Sequence, residues 1–294
     1  MQGGHASVLL AESLELLAVR PGGLYVDGTV GPGGHAAAIL ERSGPSGRLL
    51  GLDRDAEVLE GAGQRLLPFG GRARLAHADY REIPRLLAGE RADGVLLDLG
   101  LSSVQLDTPE RGFSFRTEGP LDMRMDRSGG ETAADLVNRM SEPDLADLIY
   151  RFGEDRASRR IARAIVSARR QARIRTTTEL ADIVRRAAGR SRRPGLDPAT
   201  RTFQALRIGV NRELEGLGPA LSAIAGCLAP RGRLAVIAFQ SLEDREVKHT
   251  FRELAREGFV LLTRRPLRPS DAETARNPRA RSARLRALER GEAA

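Results

Sequence analysis

The chain is short of the residues that build several kinds of site. It has one cysteine in 294 residues, Cys227, which leaves no partner for an internal disulfide and excludes a thiolate zinc centre. Four histidines add no credible metal cluster, so no metal is expected. There is no tryptophan, and only three tyrosines and eight phenylalanines. The basic segments are therefore hardly interleaved with aromatics, and general stacking recognition of single strands is not expected. No uninterrupted apolar run approaches the roughly 20 residues of a membrane span. The opening MQGGHASVLLAESLELL has no basic stretch ahead of its apolar residues, and acids interrupt them, so no signal peptide is expected. The cytoplasm is the expected compartment.

What is present is arginine. Lys248 is the only lysine among 47 basic residues, and the formal net charge is +8. That charge is uneven: residues 1–107 are net −4, residues 108–200 net +5 and residues 201–294 net +7. A preference for arginine over lysine would not create an excess over acids, so the later segments are expected to meet a polyanion.

Apolar periodicity predicts a helix over 8–18, ended by Pro21-Gly22-Gly23. Short strands follow at 24–27, 48–53, 74–79 and 94–98, with helices between them. That alternation implies a parallel, doubly wound α/β sheet. It stops near residue 107. Helical patterns then cover 133–140, 144–152, 156–170 and 179–188, closed by Pro194-Gly195-Leu196-Asp197-Pro198. A helix is predicted over 200–228, broken near Gly216-Leu217-Gly218-Pro219. The strand at 232–239 resumes the sheet, with further strands at 259–263 and 282–288. The expected division is 1–106, first part of the α/β domain; 107–198, an inserted, mostly helical, arginine-rich domain; and 199–294, the second part with a basic tail.

Val26-Asp27-Gly28-Thr29-Val30-Gly31-Pro32-Gly33-Gly34-His35 puts glycines between a strand and a helix, where backbone can approach a ligand and the helix N-terminus favours an anion. Gly31-x-Gly33-x-x-Ala36, with Asp53 about twenty residues on, fits a dinucleotide fingerprint, so an NAD-dependent oxidoreductase is one reading. Asp27, four residues before Gly31, makes the loop equally a first motif of S-adenosylmethionine-dependent methyltransferases. Asp98 weighs toward the second reading. It ends the apolar strand of Gly94-Val95-Leu96-Leu97-Asp98, a costly place for a carboxylate unless something satisfies it. Tyr80, after the third strand, is placed to pack against an adenine.

Several motifs resemble one family closely: His5-Ala6-Ser7-Val8-Leu9-Leu10, Asp27-Gly28-Thr29 with Gly33-Gly34-His35, and Leu97-Asp98-Leu99-Gly100 with Ser102-Ser103 and Gln105-Leu106-Asp107. Arg111-Gly112-Phe113-Ser114-Phe115, Gly119-Pro120-Leu121-Asp122-Met123-Arg124-Met125-Asp126 and Thr200-Arg201-Thr202-Phe203-Gln204-Ala205-Leu206-Arg207-Ile208 belong to the same set, as do Ser241-Leu242-Glu243-Asp244-Arg245 and Asn277-Pro278-Arg279-Ala280-Arg281-Ser282. They identify the chain as resembling the bacterial 16S ribosomal RNA (cytosine-N4)-methyltransferase family, RsmH or MraW. The resemblance implies a class I, Rossmann-like fold and transfer of a methyl group from S-adenosylmethionine to N4 of a cytidine in the decoding centre of 16S rRNA. It places Gly33, Gly34, His35, Asp53, Tyr80, Asp98 and Gln105 around the cofactor. Asp98 is also expected to position the target amine, with Ser102 and Ser103 at the catalytic edge.

Two departures matter. Amino-methyltransferases acting on bases often read [D/N]-P-P-[Y/F] where this chain reads Asp98-Leu99-Gly100-Leu101, so the stacking aromatic must come from elsewhere, with Phe113, Phe115 and Phe239 as candidates. Gln240 stands where family members often have histidine, and it cannot act as a base.

The segment from Asp155 to Arg175 carries eight arginines and one acid, and that from Arg264 to Arg290 nine and three. Arg159, Arg160, Arg163, Arg279, Arg281 and Arg284 are the expected contacts to structured rRNA. Alternation in 282–288 predicts an edge strand with arginine on one face. Besides the oxidoreductase, a non-catalytic RNA-binding assembly factor on the same fold is a third reading.

Overall fold

The computed structural model describes residues 7–189 and 197–292; His5, Ala6 and the Pro194-Gly195-Leu196 turn lie outside the described residues. By its contacts the chain divides into two units, Met1–Ser102 with Gly216–Ala294, and Ser103–Glu215.

The first unit begins α1 (Leu10–Leu17), β1 (Leu24–Asp27), α2 (Gly34–Arg42), β2 (Arg48–Asp53), α3 (Ala56–Leu66), β3 (Ala73–His77), α4 (Ile83–Leu87) and β4 (Ala92–Asp98). The second unit holds α5 (Ser103–Asp107), α6 (Ala133–Arg139), α7 (Glu142–Gly153), α8 (Ser158–Arg169), α9 (Thr177–Ala188) and α10 (Ala199–Asn211). The first unit resumes with α11 (Leu217–Gly226), β5 (Leu228–Ala238), α12 (Ser241–Leu254), β6 (Phe259–Leu261), α13 (Asp271–Arg276) and β7 (Arg284–Arg290).

Its seven strands lie in the order β3-β2-β1-β4-β5-β7-β6. The strands from β3 to β5 pair in parallel, and β7 runs antiparallel to both its neighbours. β4 reads as a continuous apolar run because both its faces are covered: Val95, Leu96 and Leu97 are wholly buried. Leu96, Ala235 and Ala287 stand in one register row across β4, β5 and β7, in the same core cluster as Leu17, Ile39 and Leu40. The chain steps outward from β1 through β2 and β3, then returns to the other side of β1 for β4. This reversal opens a crevice at the carboxyl ends of β1 and β4, where such sheets bind ligands.

One expectation is corrected. The strand predicted at 282–288 is not an edge: β7 is flanked by β5 and β6. Its alternating arginines face Asp244 of α12 rather than solvent. Arg286 is buried and donates to Asp244 Oδ1 at 2.7 Å, and Arg284 donates to Oδ2 at 3.1 Å. A charge pattern that reads as a solvated face is here a buried ion cluster, which the sequence of β7 alone does not distinguish.

In the second unit, α7 packs on α8 and α10, and α9 on the same two helices. Leu145 and Ile149, Ile161 and Ile165, Leu180 and Val184, and Phe203 and Leu206 supply the buried faces at helical spacing. Thr132 and Thr176 close capping boxes at α6 and α9. The segment before α6 is pinned by two buried side chains. Arg111 donates to the carbonyls of Arg124 and Met125, and Asn211 bonds Met123 O at 2.7 Å and Met125 N–H at 2.8 Å. The 119–126 motif is thus held inside this unit.

Candidate active site

The site grows from the ends of five strands, β1 to β5. Asp27, ending β1, is 1% exposed; its Oδ1 accepts the Thr29 N–H at 3.3 Å, and Oδ2 has no partner. Burial pushes its carboxyl up to about 7. Asp53, ending β2, holds the glycine loop by accepting Gly31 N–H at 3.0 Å on Oδ2 and Asp55 N–H at 2.9 Å on Oδ1. Its pKa is raised to about 6 by burial, which those two N–H groups only partly offset. Gly33 turns the loop into α2 at φ +82°, and Gly34 packs so closely beneath Ser7 that a Cβ there would lie 2.1 Å from the Ser7 hydroxyl. After β3, Asp79 caps a turn that buries Tyr80, whose Cβ lies against Gly28 and whose ring carries the Arg81 guanidinium 4.9 Å from its centroid.

His35, in the first turn of α2, is buried with Nε2 3.0 Å from the Val8 carbonyl. A carbonyl only accepts, so Nε2 carries the proton. Burial lowers the imidazole pKa to about 4, so the ring is neutral and Nδ1 is a bare acceptor. Asp98, ending β4, lies 3.8 Å from it (Oδ2 to Nδ1). The Asp98 N–H donates to Thr29 Oγ1 at 2.6 Å, while the buried Oδ1 has no partner. Burial, with the charges of Asp27 and Glu243 adding, pushes Asp98 up to about 8. Beside it, the exit of β5 is held by Glu243 Oε2, which accepts the N–H groups of Phe239 (3.1 Å) and Gln240 (3.2 Å). The Phe239 ring lies against Gly100, just beyond Asp98.

The model of the MraW methylase family matches residues 2–291. The chain belongs to this family. Ribosomal RNA small subunit methyltransferase H of Syntrophobacter fumaroxidans is 51% identical to this MraW-family chain over 97% of its length and 96% of the relative's. The protein of the same name from Sorangium cellulosum is 52% identical, over 97% and 90%. Among solved structures, PH0851 overlays with a TM-score of 0.50 at 14% identity, covering 97% of this chain and 46% of that one; this is a likeness of fold. The fold is the expected α/β, class I methyltransferase sheet with an inserted helical unit. The oxidoreductase reading of the glycine loop falls with family membership.

The methyl donor that goes with this family is S-adenosylmethionine, and the residues present fit it. The unpartnered buried oxygens of Asp27 and Asp98, and three carboxyls raised by burial despite the Arg54 charge near Asp53, describe a pocket that would take further positive charge and further hydrogen-bond donors. A cationic ligand with an ammonium group supplies both. Among the described residues no group of side chains could hold a metal ion, and no helix is long and apolar enough to cross a membrane.

The structure gathers Gly33, Gly34, His35, Asp53, Tyr80 and Asp98 in the first unit. Ser102 is the last residue of that unit, and Ser103 and Gln105, both buried, lie on α5 at the start of the second. Of the candidate aromatics, Phe239 stands beside the Asp98 strand end. In the second unit, Phe113 is buried, and Phe115 meets Phe203 edge to face at 4.6 Å. Arg159, Arg160 and Arg163 are exposed along α8, Arg160 reaching the Ala188 carbonyl at 2.6 Å and Arg163 reaching Glu142 at 3.4 Å. Arg279 and Arg281 are exposed, whereas Arg284 is half-buried against Asp244. Thr29 and Glu243 are further parts of this site. Both sit inside the family motifs, but Thr29 acts through a contact across strands and Glu243 through its charge beside Asp98, which no local pattern signals.

Proposed function

We propose that this chain transfers the methyl group of S-adenosylmethionine to N4 of a cytidine in the decoding centre of 16S rRNA, in the cytoplasm. The reading is supported by the names of its relatives and carried by one observation: a half-buried carboxyl whose inner oxygen is buried and unpartnered at the switch-point end of β4. The bound cofactor supplies a methyl group made electrophilic by a sulfonium. Asp98 ionises once positive charge is seated beside it. Its carboxylate then accepts an N4–H, which turns the amine's lone pair out of conjugation and toward the methyl group, a positioning effect. The methylated amine is cationic and acidic, so its proton needs only a weak acceptor, and Gln240 is not required as a base. Phe239 is the proposed platform for the flipped base. Gly33, Gly34, His35, Asp53, Tyr80 and Gln105 are proposed around the cofactor, with Ser102 and Ser103 at the reacting edge.

The helical middle segment and the C-terminal segment are the proposed RNA-facing parts, through Arg159, Arg160, Arg163, Arg279 and Arg281. Arg284, half-buried on Asp244, would add to them only in part. Small subunits from cells lacking this activity, incubated with labelled cofactor and then digested to nucleosides, provide the test. Label in N4-methylcytidine, lost with Asp98→Ala, is the expected result. No label at any assembly stage, despite tight cofactor binding, would leave the assembly-factor reading instead.

A further inference from the structure

One peptide group ties the two ends of the first unit to its active site. The Val8 carbonyl accepts His35 Nε2–H at 3.0 Å, and the N–H of the same peptide, on Leu9, donates to Glu273 Oε1 at 2.7 Å. Both neighbours are fixed. Leu9 is wholly buried at φ +51°, opening α1, and its carbonyl accepts the Ser13 N–H at 2.9 Å. Glu273 lies in the first turn of α13, whose Ser270 hydroxyl accepts the Glu273 N–H at 3.1 Å. The segment leading to α13 is held to the sheet by the bridge of Leu267 to Leu285.

A peptide unit that donates to a carboxylate becomes a stronger acceptor at its carbonyl, because hydrogen bonds in a chain polarise one another. Here that carbonyl chooses which imidazole nitrogen is protonated. With Nε2–H committed to Val8, Nδ1 is left bare 3.8 Å from Asp98 Oδ2, and the imidazole presents a lone pair to the Asp98 carboxyl. The opposite tautomer would turn a donor toward Asp98 and leave Nε2 facing the Val8 carbonyl, acceptor against acceptor.

We propose that Glu273 is a positioning residue of the cofactor pocket: through the Val8–Leu9 peptide it holds His35 in the Nε2–H tautomer, with the Nδ1 acceptor turned to Asp98. The consequence for affinity rests on the cofactor reading above; the consequence for the tautomer does not. A simple helix cap at Leu9 would also use Glu273, but it would leave His35 untouched.

The test uses the full chain labelled with 15N-histidine, without cofactor, with the His35 signals assigned by their loss in His35→Gln. The wild type is expected to show the Nε2–H pattern. In Glu273→Ala the Nδ1–H form should become populated, and cofactor affinity measured by calorimetry should weaken about fivefold, one hydrogen bond's worth. Glu273→Gln, whose amide oxygen still accepts from Leu9, should restore both readouts. Should the alanine variant fail to fold, Glu273→Asp, which withdraws the carboxylate by one methylene, takes its place with the same expectations. Unchanged His35 signals in a folded variant overturn the proposal, and so does a changed tautomer with unchanged affinity. A protein that binds no S-adenosylmethionine at all would sink the cofactor reading while leaving the tautomer result standing.

Discussion

His35 Nδ1 and Asp98 Oδ2 stand 3.8 Å apart, and the one proton of the imidazole points the other way, to the Val8 carbonyl. His35 therefore offers Asp98 a lone pair rather than a positive charge. Burial, with the negative charges of Asp27 and Glu243 adding, lets Asp98 keep its own proton near neutral pH.

Proton release on cofactor binding follows. At pH 7 Asp98, raised to about 8, is mostly protonated, and a cation seated beside it should expel up to about one proton. Titration calorimetry in buffers of different ionisation enthalpy reads this as a buffer-dependent heat. The dependence should shrink in Asp98→Asn, with Asp27 and Asp53 supplying what remains; a wild type whose heat is the same in every buffer would contradict the assignment.

Stability should fall as pH rises through the same range. Asp53, Asp27 and Asp98 are raised to about 6, 7 and 8, so between the ordinary carboxylate range and those values the folded chain holds more protons than the unfolded one, and ionisation costs stability. His35, lowered to about 4, works the other way: the unfolded chain holds more protons between about 4 and 6.5, so stability rises there with pH. Above that window only the carboxyls act. The drop in melting temperature from pH 6.5 to 8 should shrink in Asp98→Asn, and a drop equal to the wild type's would show that Asp98 titrates normally.

The contact of Gly34 with Ser7 predicts a coupled pair. Gly34→Ala places a methyl 2.1 Å from the Ser7 hydroxyl and should cost about 1–3 kcal/mol, as overpacking does. Ser7→Ala removes that oxygen while its Cβ stays at an ordinary 3.5 Å, so the double variant should recover most of the loss. Denaturant melts of the four proteins give the coupling energy, and strict additivity would exclude the contact.

The arginines should separate into two classes. Arg159→Glu and Arg281→Glu should weaken rRNA binding and flatten its salt dependence, each by about one phosphate contact, with the melting temperature unchanged. Arg286→Ala breaks one of the two pairs on Asp244, leaving Arg284, and should cost about 1.5–3 kcal/mol of stability. An unchanged melting temperature in Arg286→Ala would contradict the burial of that pair beneath β7.

By itself the sequence determined the alternation of strands and helices, the glycine turn after β1, the acids at strand ends and the helical insert. These rest on short-range periodicity and turn chemistry, which act within a few residues. Tertiary structure alone decided what those residues experience. Alternating arginines in β7 read as an edge strand until β6 is seen to cover it and Asp244 to neutralise it. Asp98 reads as a costly carboxylate at the end of an apolar strand, but only burial beside Asp27 and Glu243 sets its protonation. Glu273 reads as one more acid in a basic tail, because its partner Leu9 is 264 residues away and meets it only once the chain is folded. Protonation state and partner choice depend on which groups come close in space, and spacing along the chain carries no record of that.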